Sequence, residues 1–320
     1  MSSSTGHGPV SEIAFRTPIA ALYKTSTTEN VIKVFFQDVL GGIRLNSYDD
    51  GWNGGTSSFA TAKLGTPLAA IGSPSLDKIR LYFLSPENML RELCYDRGLS
   101  SGWFEGALSE KHIQVAPYSQ IAAVYLPDFE IRVYAQKPDD TIQEFNIHES
   151  SEWAESANLG AALSGSSIAA TAYSGSSRIG LVFQKTDLTI QGNGSNGSIW
   201  WSMDLNITNS LGRGAIAIVS YTDPANSSDF SVRMYYTASD NRIKEKIFNA
   251  GSPPGVWVDG TLNMQTIPGS NLSVIVWTSG SKVILRAYLQ QGQQVSAISE
   301  WAGTTTSWGQ GYPALPPATV

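Results

Sequence analysis

A short strand-like signal of one bulky aliphatic residue and two small ones returns along this chain at intervals of roughly 50 residues, and repetition on that scale points to propellers, solenoids or arrays. It occurs at Ile19-Ala20-Ala21, Leu68-Ala69-Ala70, Ile121-Ala122-Ala123, Ile168-Ala169-Ala170, Ile216-Ala217-Ile218 and, more loosely, Val274-Ile275-Val276, which makes six units. An alternating segment follows each one, as in Ile79-Arg80-Leu81-Tyr82-Phe83 and Ile131-Arg132-Val133-Tyr134, and a period of two means β-strand. After a turn comes a third strand such as Ile142-Gln143-Glu144-Phe145, and then a tryptophan (Trp52, Trp103, Trp153, Trp200, Trp257, Trp301) opens a looser fourth.

Four antiparallel strands per unit is the arithmetic of a propeller blade, so the expected fold is an all-β, six-bladed β-propeller. The expected plan is one domain over residues 13–311, an N-terminal tail over 1–12 and a Pro-rich tail over 312–320. The sixth unit shows no obvious fourth strand after Trp301, whereas Ile13-Ala14-Phe15 precedes the first unit. The N-terminal segment is therefore expected to pair with the C-terminal one, complete the last blade and close the ring, which would leave no exposed sheet edge there.

Composition narrows the function classes. With 21 basic against 27 acidic residues the net charge is −6, and no Lys/Arg cluster stands out, so a nucleic-acid partner is not expected. Cys94, the single cysteine, has no intrachain partner and reads as a small strand residue rather than a nucleophile. No run of about 18 apolar residues suggests a membrane span, and the polar N-terminus lacks a signal-peptide core. The expectation is a leaderless chain, cytoplasmic or exported by another route to the cell or spore surface, with Asn193, Asn196, Asn206, Asn226 and Asn271 as unmodified loop residues.

One polar pair repeats at fixed spacing: Arg80/Glu92, Arg132/Glu144 and Arg233/Glu245. Hairpins centred on Pro86, Pro138 and Ser239 would set the two side chains directly opposite each other, about 4.5–5.5 Å apart at Cβ. A structural ion pair explains such a column as well as a binding role does. Acid and base also vanish together, as Lys33/Leu45 in the first unit and Gly180/Gly192 in the fourth. The tryptophan that follows in every unit can pack in a blade core or stand beside the pair. In the second case a carboxylate acceptor, a guanidinium donor and an indole face make a sugar site.

The segments IRVYAQKPDDTIQE, IRLYFLSPENMLRE and VRMYYTASDNRIKE, with the recurring IAA strands and GW or EW turns, resemble the fungal fucose-specific lectins from about Ile13 to Pro317. The resemblance implies a non-catalytic, homodimeric propeller. It would bind L-fucose and fucosylated oligosaccharides or glycoproteins between adjacent blades, through Arg and Glu of one blade and an aromatic residue of the next. Carried onto this chain it groups Arg80 and Glu92 with Trp153, Arg132 and Glu144 with Trp200, and Arg233 and Glu245 with Trp301. In the sixth unit Arg286 would face Tyr48 and Trp52 across the closure, its acid open between Ala297, which aligns, and nearby Glu300. The first unit is expected to bind weakly or not at all, with Tyr95 and Trp103 remaining as a wall, and the fourth not to bind.

Rival classes fit less well. A propeller glycosidase needs two carboxylates in one central site, and an arginine-paired glutamate is held ionised rather than ready to donate a proton. No unit carries the Gly-His and Trp-Asp pairs of protein-binding WD40 blades. His7, His112 and His148 lack ligand spacing, and Asp49-Asp50 and Asp139-Asp140 read as turns, so neither metal nor cofactor is expected. Gly192 to Gly197 satisfies G-x-G-x-x-G, but Ile199-Trp200-Trp201 follows where a dinucleotide site needs a helix, and the stretch reads as a loop.

Overall fold

A computed structural model of the chain describes residues 12–24, 30–148, 151–173, 176–205, 207–224, 226–249, 256–292 and 296–316; His7, Asn206 and the outermost parts of both expected tails lie outside them. Six antiparallel four-stranded meanders, each one continuous stretch of chain, form the six blades of a propeller. They cover residues 19–61, 69–105, 121–161, 168–204, 216–265 and 272–310.

The aliphatic-small-small signal marks the innermost strand of each blade. These six strands line a narrow axial channel of about 160 Å³, where the alanines let neighbouring backbones approach. The alternating second strands put one face into the seam with the blade before and the other into the seam with the blade after. The core is accordingly six clusters, one per seam. Turns between second and third strands end in left-handed residues, Asn88 (φ 64°), Asp140 (φ 67°) and Asn241 (φ 57°), side chains that tolerate that backbone. Asn193 lies within the strand Ile190–Ser195 and Asn226 opens the strand Asn226–Thr237, so neither is a loop residue; the G-x-G-x-x-G stretch accordingly starts on a strand and ends in its hairpin turn.

Ring closure differs from the expectation. The sixth blade owns its fourth strand, Trp308–Gln310, reached from the third through a tight turn in which Thr304 N donates to Ser307 O at 2.9 Å. A three-residue strand carries no periodicity to read. Ile13 instead makes a single bridge to Asp38 in the first blade. The two chain ends meet by packing, since Ile13 and Leu315 are buried in the same seam. Part of the expected C-terminal tail is thus built in: Leu315 exchanges backbone hydrogen bonds with Ile298.

Buried glutamines at the ends of second strands clip four of the six blades to the connector beyond. Gln37 accepts from Gly65 N, Gln136 from Gly165 N and Gln184 from Arg213 N, at 2.8–2.9 Å. Gln290 repeats the device across the closure, accepting from Thr17 N at 3.1 Å and donating to Ala14 O at 3.1 Å.

Candidate functional site

In the third blade Arg132 stands on the second strand, Glu130–Gln136, and Glu144 on the third, Thr141–Ile147. They are not directly opposite. The register sets Tyr134 against Glu144 and Arg132 against Asn146, because the three-residue turn is centred one residue later than Pro138. Arg132 therefore reaches Glu144 diagonally, Nη1 lying 3.2 Å from Oε1, while Tyr134 donates its hydroxyl to Oε2 at 2.9 Å. Trp200 of the next blade stands edge-on to Tyr134 with ring centres 6.0 Å apart. Arg132, Glu144, Asn146 and Trp200 line a cavity of about 410 Å³.

The same arrangement recurs at three other seams. Tyr82 donates to Glu92 at 3.0 Å, Tyr235 to Glu245 at 3.0 Å and Tyr288 to Glu300 at 2.9 Å. The matching arginine nitrogens lie 3.9 Å (Arg80), 2.7 Å (Arg233) and 3.6 Å (Arg286) from their glutamates. Backbone on or just after the fourth strand serves three of these carboxylates: Leu108 N donates to Glu92 at 3.1 Å, Thr261 N to Glu245 at 3.0 Å and Tyr312 N to Glu300 at 3.4 Å. This approach needs glycine beside each acid. A β-carbon on Gly106 or Gly260 would sit 2.2 Å from the carboxylate oxygen, and on Gly311 2.5 Å.

The buried tyrosines are site residues absent from the sequence reading, although an Arg-x-Tyr signal was available in all four units: Arg80-Leu81-Tyr82, Arg132-Val133-Tyr134, Arg233-Met234-Tyr235 and Arg286-Ala287-Tyr288. Burial first, then the neighbouring carboxylate, pushes each phenol's pKa well up, so each hydroxyl stays a donor at neutral pH.

The sixth blade resolves the acid left open and changes one wall. Its hairpin between second and third strands is two residues longer, so the acid opposite Tyr288 is Glu300 and not Ala297. The wall changes separately. Trp308 stands edge-on to Tyr235 at 5.8 Å, whereas Trp301 sits on the third strand, packs against the same seam and gives its indole N–H to Gln291 at 2.8 Å. The remaining walls stand at the expected seams: Trp153 lies 6.3 Å from Tyr82, and Trp52, flanked by Tyr48 at 5.5 Å, lies 6.2 Å from Tyr288 across the ring closure.

The four arginines form two pairs. Arg132 and Arg233 are buried, and a loop of the next blade caps each: Gly197 O accepts from Arg132 at 2.8 Å and Thr305 O from Arg233 at 3.1 Å. Arg80 and Arg286 are more open and turn back to their own strands, donating to Ile79 O at 3.0 Å and Leu285 O at 2.9 Å. Glu130, found only at the third seam, takes Arg132 Nε at 2.6 Å. Burial opposes the Arg132 charge, but Glu144 and Glu130 outweigh it and keep its pKa raised.

The other two seams are filled by the protein itself. In the first, Phe35 replaces the tyrosine, and Phe59 stacks on Trp103 at 4.8 Å and 21°, covering the wall. In the fourth, Val182 replaces the tyrosine, and Leu205 lies 3.0 Å from where a β-carbon on Gly192 would be. No cluster of potential metal ligands occurs among the described residues. Cys94 is buried opposite Arg80, and desolvation pushes its thiol up to about 12, out of the range of a nucleophile.

Residues 13–318 match the family model for fungal fucose-specific lectins. The chain belongs to the fungal fucose-specific lectin family. Fucose-specific lectins of Aspergillus fumigatus and Aspergillus oryzae are each 39% identical, over 96% of this chain and 98% and 97% of theirs. That of Aleuria aurantia is 28% identical over 93% of this chain and 79% of its own. Among solved structures, the SapL1 lectin in complex with α-methyl fucoside superposes with a TM-score of 0.85 at 37% identity, covering 97% of this chain and all of that one. The Aleuria aurantia lectin, described as a six-bladed β-propeller with a novel fucose recognition mode, superposes with a TM-score of 0.79 at 26% identity, covering 97% and 99% of the two chains. The six-blade plan found here is thus that of the fungal fucose-specific lectins.

Proposed function

We propose that this chain is a non-catalytic lectin that binds L-fucose at four of its six seams and recognises fucosylated glycans multivalently. The supporting observation is the quartet of arginine, glutamate, tyrosine and next-blade tryptophan, complete around Arg80, Arg132, Arg233 and Arg286 and broken at the other two seams, where arginine, glutamate and tyrosine are replaced together. Its chemistry suits a deoxy sugar. The carboxylate, with the tyrosine holding one side, accepts from vicinal hydroxyls, the guanidinium donates to hydroxyl or ring oxygens, and the indole covers the apolar face that carries the methyl group.

A monosaccharide of 11 heavy atoms at about 0.5 kcal/mol per atom binds with roughly −5 to −6 kcal/mol, a Kd near 0.1 mM. One pocket is weak, and several on one ring raise apparent affinity on a glycan-coated surface by roughly 10²- to 10⁴-fold. A homodimer, as the family resemblance implies, would double the count; light scattering in solution tests it. Isothermal titration with methyl-α-L-fucoside tests the reading itself. Heat corresponding to about four sites per chain, with none for galactose, is the expected result. A folded protein giving no heat with the fucoside would overturn the specificity.

A further inference from the structure

At the end of the ring where the innermost strands begin, the axial channel opens into a cavity of about 480 Å³. Far from the tryptophan walls, its rim is built from the β-turns that lead into each blade. Six equivalent turns surround the axis, each closed by a backbone hydrogen bond such as Thr17 N to Ala14 O at 3.1 Å or Gly214 N to Leu211 O at 2.8 Å.

The third residue of five of these turns is left-handed, and three of the five are glycine: Gly65 (φ 70°), Gly165 (φ 78°) and Gly269 (φ 76°). The other two are arginines, Arg16 and Arg213, both at φ 59°. A β-carbon is disfavoured there, so these two side chains are held against the local backbone preference.

Arg16 and Arg213 are the only charged residues lining the cavity among the described residues. Neither meets a carboxylate among the described residues. Arg213 gives Nε to Ser164 O at 2.7 Å, and Arg16 lies over the Phe15 ring at 5.2 Å. Asp140 is outside the lining and already accepts from two residues within it, Tyr118 at 2.7 Å and Ser164 at 2.9 Å. Behind the rim the channel wall is aliphatic, which strengthens an electrostatic contact at its mouth. On a chain of net charge −6, a cavity carrying two cations and no anion is a local reversal of sign.

We propose that this axial cavity is an anion site in which Arg16 and Arg213 together take an oxyanion of the sulfate class. The source is either the free ion or a sulfate ester on a sugar, and the site is separate from the inter-blade pockets. Titration of the whole chain with sodium sulfate and with galactose 6-sulfate, using galactose as control, tests it. Saturable binding at one site per chain is expected, weakening as sodium chloride is raised. Replacing Arg16→Gly and Arg213→Gly installs the residue the sister turns already carry, so the fold, checked by circular dichroism, and the methyl-fucoside titration should be unchanged. Sulfate affinity should fall by at least about tenfold. Binding of both probes assigns the ester as a ligand, and binding of the free ion alone assigns the inorganic ion. No saturable binding by the unaltered chain, or equal binding by the double variant, overturns the proposal.

Discussion

Tyr235 donates to Glu245 Oε1 at 3.0 Å, the same oxygen that Arg233 Nη1 reaches at 2.7 Å, and Oε2 is left to the backbone N–H groups of Thr261 (3.0 Å) and Leu262 (3.3 Å). Four donors fix one carboxylate in place before any ligand arrives. Tyr235→Phe keeps the ring against Trp308 and removes only the hydroxyl. A hydrogen bond to a charged group is worth about 1.5 kcal/mol or more, so fucoside affinity at that pocket should fall roughly tenfold with the fold intact. The measurement is calorimetric, in a background with Arg80, Arg132 and Arg286 replaced by alanine. Unchanged affinity would mean that the tyrosine only fills space.

Gly260 lies against the same acid, and a β-carbon there would meet Glu245 Oε2 at 2.2 Å. Gly260→Ala must displace the carboxylate or the strand. The expected outcome is loss of one site from the titration stoichiometry, at a stability cost of about 1–3 kcal/mol seen in thermal melting. A full complement of sites would show that the close approach is dispensable.

Glu92 gives the second seam its own pH dependence. Burial raises its pKa from the ordinary 4.5, against the opposing pull of Leu108 N, Tyr82 and Arg80. A raised pKa means that the proton is taken up earlier as pH falls. The pocket should hold full affinity above that raised value and lose it on acidification through it, because a neutral carboxyl is a poorer acceptor. In a variant keeping only this pocket, the affinity midpoint should lie above 4.5; a midpoint at or below that value contradicts the assignment.

Arg132 has all three of its nitrogens engaged, by Glu130, Glu144 and Gly197 O, so a sugar at the third seam competes with these partners for the guanidinium. Glu130→Gln replaces the charge-assisted contact to Nε with a weaker one. Fucoside affinity there should rise by a few-fold, about 1 kcal/mol. A fall would show that Glu130 orients the guanidinium productively.

The blade count and strand order, and the seams that carry polar columns, are legible in the sequence because the repeat compares each position with itself several times. What escaped depended on turn geometry. Centring the hairpins on Pro86 and Pro138 rather than one residue later moved Glu92 and Glu144 opposite the arginines and hid Tyr82 and Tyr134 as their true partners. Which residue of a three-residue turn is left-handed is decided at Asn88 and Asp140, after the prolines that draw the eye. Two extra residues in one hairpin carried Glu300 away from its aligned position, and Trp301, one residue past that acid on the third strand, precedes the wall residue Trp308 in the chain. The plugs are tertiary facts: nothing local to Phe59 or Leu205 says that it lies across a seam.

Every blade being one continuous piece of chain, no strand is shared across the joint between the sixth blade and the first. That joint is held as the joint between the first and second blades is, by a glutamine clip and an apolar seam, and differs from it in lacking a peptide connector. The starting point of the polypeptide is therefore arbitrary with respect to the architecture. A circular permutant opened between two other blades would present the same ring, and the pocket of Arg286 and Trp52, which spans the present break, would acquire a covalent bridge without changing its walls.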